Sequence, residues 1–111
     1  MRTSYHKIAQ TVAFSQAAAA THDVFTPDAD KKFVVTKWYL MPAGAVTVQF
    51  ISSGTPTNLS GAMPFQANIA YSDGSGDEAV LIGDANGAKL QIALGGAVQV
   101  SGYVVVGQLQ E

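Results

Sequence analysis

Residues 90–110 read LQIALGGAVQVSGYVVVGQLQ. Apolar side chains alternate at Leu90, Ile92 and Leu94, pause at Gly95-Gly96, and resume at Val98 and Val100. Beyond Ser101-Gly102 they return at Val104 and Val106. A period of two sends successive side chains to opposite faces, so this stretch predicts strands with one apolar face. The glycine pair between the runs predicts a tight hairpin, because glycine takes positive φ without steric cost. No charged residue occurs between Lys89 and Glu111. Strands whose other face carries Gln, Ala, Ser and Gly are poorly dressed for free solvent and are expected to meet another protein surface.

The rest of the chain reads the same way. His6 to Phe14 alternates, and Thr21 to Thr26 is a short strand before a Pro27-Asp28 turn. Lys32 to Met41 (KFVVTKWYLM) is rich in β-branched and aromatic residues and predicts a strand. Ala45 to Ser52 alternates at Val46, Val48 and Phe50. Met63 to Tyr71 predicts a strand weakened by Pro64, and Glu78 to Ile82 a short one. About eight short strands at turn spacings of 8 to 12 residues describe an all-β, single-domain antiparallel sandwich, jelly-roll-like, or a barrel. Residues 1–7 hold few core candidates and are expected to form an N-terminal arm ahead of a domain over residues 8–111. Trp38 and Tyr39 are adjacent on a strand and must face opposite ways, one into the core and one outward. Phe25, Phe33, Phe50 and Phe65 are expected in the core or between the sheets.

One domain suits 111 residues. Surface scaling at this mass gives roughly 5,800 Å² of folded surface, with about 65% of the unfolded surface buried, enough for a core without staples. The chain has no cysteine, so it forms no disulfide and no thiolate metal site. Charged residues are only 13% of the chain, about half the usual share of roughly 25%. A charge-poor β domain lacks the usual guard against edge pairing, which points to surface hidden in an assembly. We therefore expect a homotrimer with its interface on the closing strands, at Leu90, Ile92, Leu94, Val98, Val100, Tyr103 and Val104. Net charge is −2, and six Lys and Arg residues spread along the chain make no basic face for nucleic acid. No apolar run is long enough to span a bilayer. The N-terminus lacks a signal-peptide layout, so the mature chain is expected to start at or near Met1.

Catalysis needs a base, an orienter and a nucleophile in mutual reach. The only histidines are His6 and His22, and most acids sit beside Gly, Pro or Ser, where turn formation explains them. No nucleophile elbow, zinc-protease helix motif or phosphate loop occurs. Asp73 to Glu78 is similar to oxygen-rich calcium loops but lacks the full ligand pattern and reads as a solvated turn. Neither an enzyme, a cofactor nor a metal site is expected. A thin sandwich of this size is also expected to fill its interior with its own side chains, leaving little room for a ligand cavity of the usual size of about 300 Å³ or more.

The chain resembles the small trimeric jelly-roll proteins, tumour-necrosis-factor-like in topology, that decorate and cement tailed-phage capsids. The resemblance runs from about Ile8 to the end. It is carried by Asp30-Lys31-Lys32-Phe33-Val34-Val35 after the first hairpin and by Asn58-Leu59-Ser60-Gly61-Ala62-Met63 at the entry to the middle strands. Asn86 to Leu94 and Ala97 to Tyr103 resemble the closing pair, with Ser101-Gly102 where the family usually has Gly-Gly. The resemblance implies a virion structural protein on the outer capsid surface, made in the bacterial cytoplasm. It further implies a homotrimer partnered with the major capsid protein lattice, with no nucleic acid, membrane or cofactor. Arg2, Tyr5 and Lys7 are then expected to contact the capsid. The alternative is a receptor- or glycan-binding module of a fibre or tail.

Overall fold

The computed structural model describes residues 4–76 and 78–110, with side chains from Gln10 to Leu109 apart from Asp77. Ten strands follow in order: β1 Ser4–Gln16, β2 Thr21–Phe25, β3 Lys32–Pro42, β4 Val46–Ser52, β5 Thr57–Asn58, β6 Met63–Phe65, β7 Tyr71–Asp73, β8 Leu81–Ile82, β9 Leu90–Leu94 and β10 Val100–Gln110. They form two antiparallel sheets packed as a sandwich. The first has the order β1-β10-β3-β7, with β8 also on β3, and the second has the order β2-β9-β4-β5, with β6 also on β4. The pairings nest: β1 with β10, β2 with β9, β3 with β7 and β8, β4 with β5 and β6. A long hairpin rolled across two sheets gives this order, which is a jelly roll.

The nesting corrects the hairpin expected at Gly95-Gly96. β9 belongs to one sheet and β10 to the other, so the glycines carry the chain across the sandwich instead of turning it back. Neither glycine has positive φ among the described residues. Gly95 is required for space: a β-carbon there would collide with Thr47 Oγ1, and its N–H donates to Thr47 O at 2.9 Å. The strand count rises from about eight to ten for a local reason. The strand expected over Met63 to Tyr71 breaks after Phe65, and Asn68 turns the chain at φ 60° with its N–H on Pro42 O at 2.7 Å. Pro64 is tolerated because β6 pairs on one side only, with β4. β1 begins at Ser4, and Ser4, Tyr5 and His6 pair with Gln110, Leu109 and Gln108. The expected arm boundary at Ile8 therefore falls inside a strand, and Met1 to Thr3 lie outside the described residues.

The core lies between the sheets. Phe33, Val35, Leu40, Val100, Val104 and Val106 from the first sheet meet Val48, Phe50, Leu90 and Ile92 from the second, all essentially without solvent exposure. Trp38 lies 5.2 Å from Phe50 and 6.3 Å from Phe65 between ring centroids. Of the four expected core phenylalanines, Phe33, Phe50 and Phe65 are buried and Phe25 packs half-buried against the cluster. The accessible surface of 5742 Å² matches the size expectation.

Candidate interaction surface

Register and alternation together define the outer face of the first sheet. One row runs Ala13, Tyr103, Tyr39, Ser72 across β1, β10, β3 and β7. The row on one side is Thr11, Val105, Lys37, and on the other Ser15, Ser101, Met41. The intervening rows, Val12-Val104-Trp38 and Phe14-Gly102-Leu40, point into the core. Lys37 is the one charged residue in the three outer rows. The face is therefore poor in charge, with two tyrosine rings near its middle.

Its centre is a stacked pair. The Tyr39 and Tyr103 rings lie 5.3 Å apart with planes 13° from parallel. Lys37 Nζ sits 5.8 Å from the Tyr103 ring centroid, within cation–π range. Gly102 lets β10 approach β3 here, because a β-carbon would strike the Tyr39 carbonyl oxygen. Beside the rings lies a shallow groove of about 530 Å³, lined among others by Thr11, Ala13, Met41, Asn68 and Gln99. It is open to the surface and lies outside the core. A second hollow, of about 100 Å³, opens beside Phe25, Lys31 and Gln108. On the polar side of the groove Gln99 Nε2 donates to Ser15 Oγ, and Ser15 and Ser101 hydroxyls lie 3.1 Å apart.

The outer face of the second sheet differs. There Asp23 accepts from Gln91 Nε2 at 2.8 Å and from Lys89 Nζ at 3.3 Å. The Gln91 hydrogen bond, then Lys89, hold the Asp23 carboxyl below its ordinary pKa. Here the charged groups Asp23 and Lys89 pair with each other.

Most of the seven expected interface residues lie inside the single chain's own core. Leu90, Ile92, Leu94, Val100 and Val104 are buried in the protomer's own core, and Val98 packs half-buried against it. Alternation shows which residues share a face, but not which face is turned inward, and here the apolar set is the inner one. Tyr103 is the residue of that set that lies outward. Arg2 is outside the described residues. Tyr5 and Lys7 lie on β1 by their backbone, and their side chains are outside the description.

Sequence reasoning missed one polar cluster. Asp84, in the turn between β8 and β9, accepts hydrogen bonds from the Ser52 hydroxyl, from Thr55 N–H at 3.1 Å, and from the Thr55 and Thr57 hydroxyls at 3.0 Å each. Its own N–H donates to Ser52 Oγ at 3.0 Å. The Ser52 bond above all holds this carboxyl far below the usual carboxylate range. Gly54 passes so close that a β-carbon would lie 2.5 Å from Asp84 Oδ1. The cluster ties the β4–β5 loop to the β8–β9 turn. Its partners are 27 to 32 residues away in sequence, so only the fold pairs them.

Asp73 accepts from Gly74 N–H at 2.9 Å, as a turn former does. Among the described residues no group of three or more His, Cys, Asp or Glu side chains is placed to hold a metal ion. His22 Nε2 lies 2.9 Å from Ala18 O. No helix of the described residues is long and apolar enough to cross a membrane. No family model, curated protein or solved structure matches the chain.

Proposed function

We propose that this protein is a structural component of a virion, a homotrimeric decoration protein that binds the outer surface of a phage capsid and stabilises the shell. The observation that carries this reading is the stacked Tyr39–Tyr103 pair on the outer face of a jelly-roll sheet, with Lys37 the one charge in its outer rows. Tyrosines on a charge-poor surface suit a protein contact, because they bring large apolar area with a polar tip. The jelly-roll strand order agrees with the resemblance to capsid-decorating proteins. In this reading the protein turns over no substrate. A trimer presents three copies of one shell-binding surface, so weak contacts sum to tight attachment through effective concentration. Preferential binding to the assembled shell then stabilises it by mass action.

The glycan-binding alternative needs an open ring face on which a sugar can stack. Tyr39 and Tyr103 cover each other, and Lys37 lies over Tyr103, which favours a protein contact. The test is titration of the purified protein onto undecorated capsids followed by co-sedimentation. Saturable, many-copy binding is the expected result. Binding to host cells or glycans, with none to capsids, would replace this reading with the receptor-binding one.

A further inference from the structure

Asn86-Gly87, in the turn between β8 and β9, is the one Asn-Gly pair in the chain; Asn58 precedes Leu59 and Asn68 precedes Ile69. Asparagine before glycine is the pair most open to deamidation, because no side chain on the second residue hinders its backbone nitrogen. Asn86 is exposed. Gly87 has a φ of 79°, so the backbone here asks for glycine and the labile pair comes with the turn. That turn is clamped from two sides. Ala88 N–H donates to Ala85 O at 3.2 Å, and Gly87 but not Asn86 has positive φ, the pattern of a type II turn. On one side Gly87 N–H donates to Lys31 O at 2.8 Å. On the other, the Asp84 carboxylate takes the Ser52, Thr55 and Thr57 hydroxyls. Ser53 N–H also donates to Lys89 O at 3.0 Å, and Lys89 N–H to Ser53 Oγ at 2.8 Å.

We infer that Asn86 is a deamidation site that the folded chain holds closed, with the Lys31 carbonyl and the Asp84 cluster as the two halves of the clamp. In the reaction the Gly87 nitrogen attacks Asn86 Cγ. The N–Cγ bond forms, the Cγ–Nδ2 bond breaks, and ammonia leaves with the proton of the Gly87 N–H. Water then opens the succinimide at either carbonyl, giving aspartate or isoaspartate. Water enters and ammonia leaves, and nothing is oxidised or reduced. To reach Cγ the nitrogen has to release Lys31 O, and the peptide unit between the two residues has to rotate. A turn tied at Asp84 and Lys89 resists that rotation, so local opening of residues 83–89 is the step that admits the chemistry. The product does not restore the old turn. Either form places a new carboxylate two residues from Asp84, and isoaspartate lengthens the backbone by a methylene group. This modification site is independent of the shell-binding reading.

The test is peptide mapping by mass spectrometry after the full chain is incubated at neutral pH, native and in guanidinium chloride. Conversion is read as the gain of OH for NH2 in the peptide holding Asn86, with the Asn58 and Asn68 peptides as internal controls. In the unfolded chain Asn86 is expected to convert fastest of the three. In the native chain it is expected to convert at least about tenfold more slowly than in the unfolded one. Asp84→Ala, and Thr55→Val combined with Thr57→Val, which keeps the carboxylate and removes two of its donors, are each expected to convert faster than native wild type. Gly95→Ala, a strain placed away from this turn, is expected to stay at the wild-type rate. Native wild type converting as fast as the unfolded chain overturns the clamp. So does a double threonine variant no faster than wild type, or a Gly95→Ala variant accelerated as much as the Asp84 one, which would mean global unfolding. Asn86 converting no faster than Asn58 or Asn68 in the unfolded chain overturns the site itself.

Discussion

Tyr39 and Tyr103 stack across adjacent strands on the outside of the sandwich, while Trp38, one residue earlier, turns inward onto Phe50. One strand therefore supplies both a core ring and half of the outward tyrosine pair. The two roles separate by mutation. Trp38→Ala removes a buried ring and should cost about 3–5 kcal/mol. Tyr103→Ala removes a cross-strand pair and should cost the protomer fold only about 0.2–1 kcal/mol. Urea unfolding of each variant at a concentration that dissociates any oligomer checks the contrast. Equal losses would mean that the tyrosine pair belongs to the core.

The Asp84 cluster makes stability depend on acid. The folded-state pKa is lowered, so the carboxylate's contribution is fully present above the unfolded value of about 3.9 and is lost as pH falls toward the folded value. Asp23, also lowered by Gln91 and Lys89, acts in the same direction. The unfolding midpoint should stay level near neutrality and drop below about pH 4. Asp84→Asn should lower the neutral-pH midpoint and flatten the acid side of the profile. Parallel profiles for wild type and variant would remove Asp84 from this role.

Glycine at 95 is required by a neighbour's side chain and glycine at 102 by a neighbour's backbone. Gly95→Ala drives a methyl group into Thr47 Oγ1, an overpacking expected to cost about 1–3 kcal/mol. Thr47→Ala in the same chain should recover much of that loss. Gly102→Ala meets the Tyr39 carbonyl and the Leu40 Cα, which no side-chain truncation relieves. A thermal-unfolding double-mutant cycle on Gly95 and Thr47 should show coupling of the sign that marks relief. Simple additivity would contradict the collision.

Much of the fold was legible because period two is a strong signal where the residues are β-branched. Lys32 to Met41 and Ala45 to Ser52 emerge as β3 and β4 within a residue. That Trp38 and Tyr39 face opposite ways followed from their adjacency; which of the two lies outward did not. The sheet to which each strand belongs was not legible. Gly95-Gly96 has the composition of a hairpin, and only the nested pairing shows that it crosses between sheets. The same gap bears on the expected interface. Leu90, Ile92 and Leu94 share one face of β9, but nothing local says that the core needs that face. The Asp84 cluster was invisible because its hydroxyl partners come from the distant β4, β5 and the loop between them.

The proposed role is mechanical stabilisation of a shell. The most direct measurement is the temperature at which otherwise identical phage particles, with and without this protein, release their DNA. Decorated particles are predicted to release at the higher temperature, and adding the purified protein to bare particles should restore the difference. Release at the same temperature would contradict stabilisation as the function.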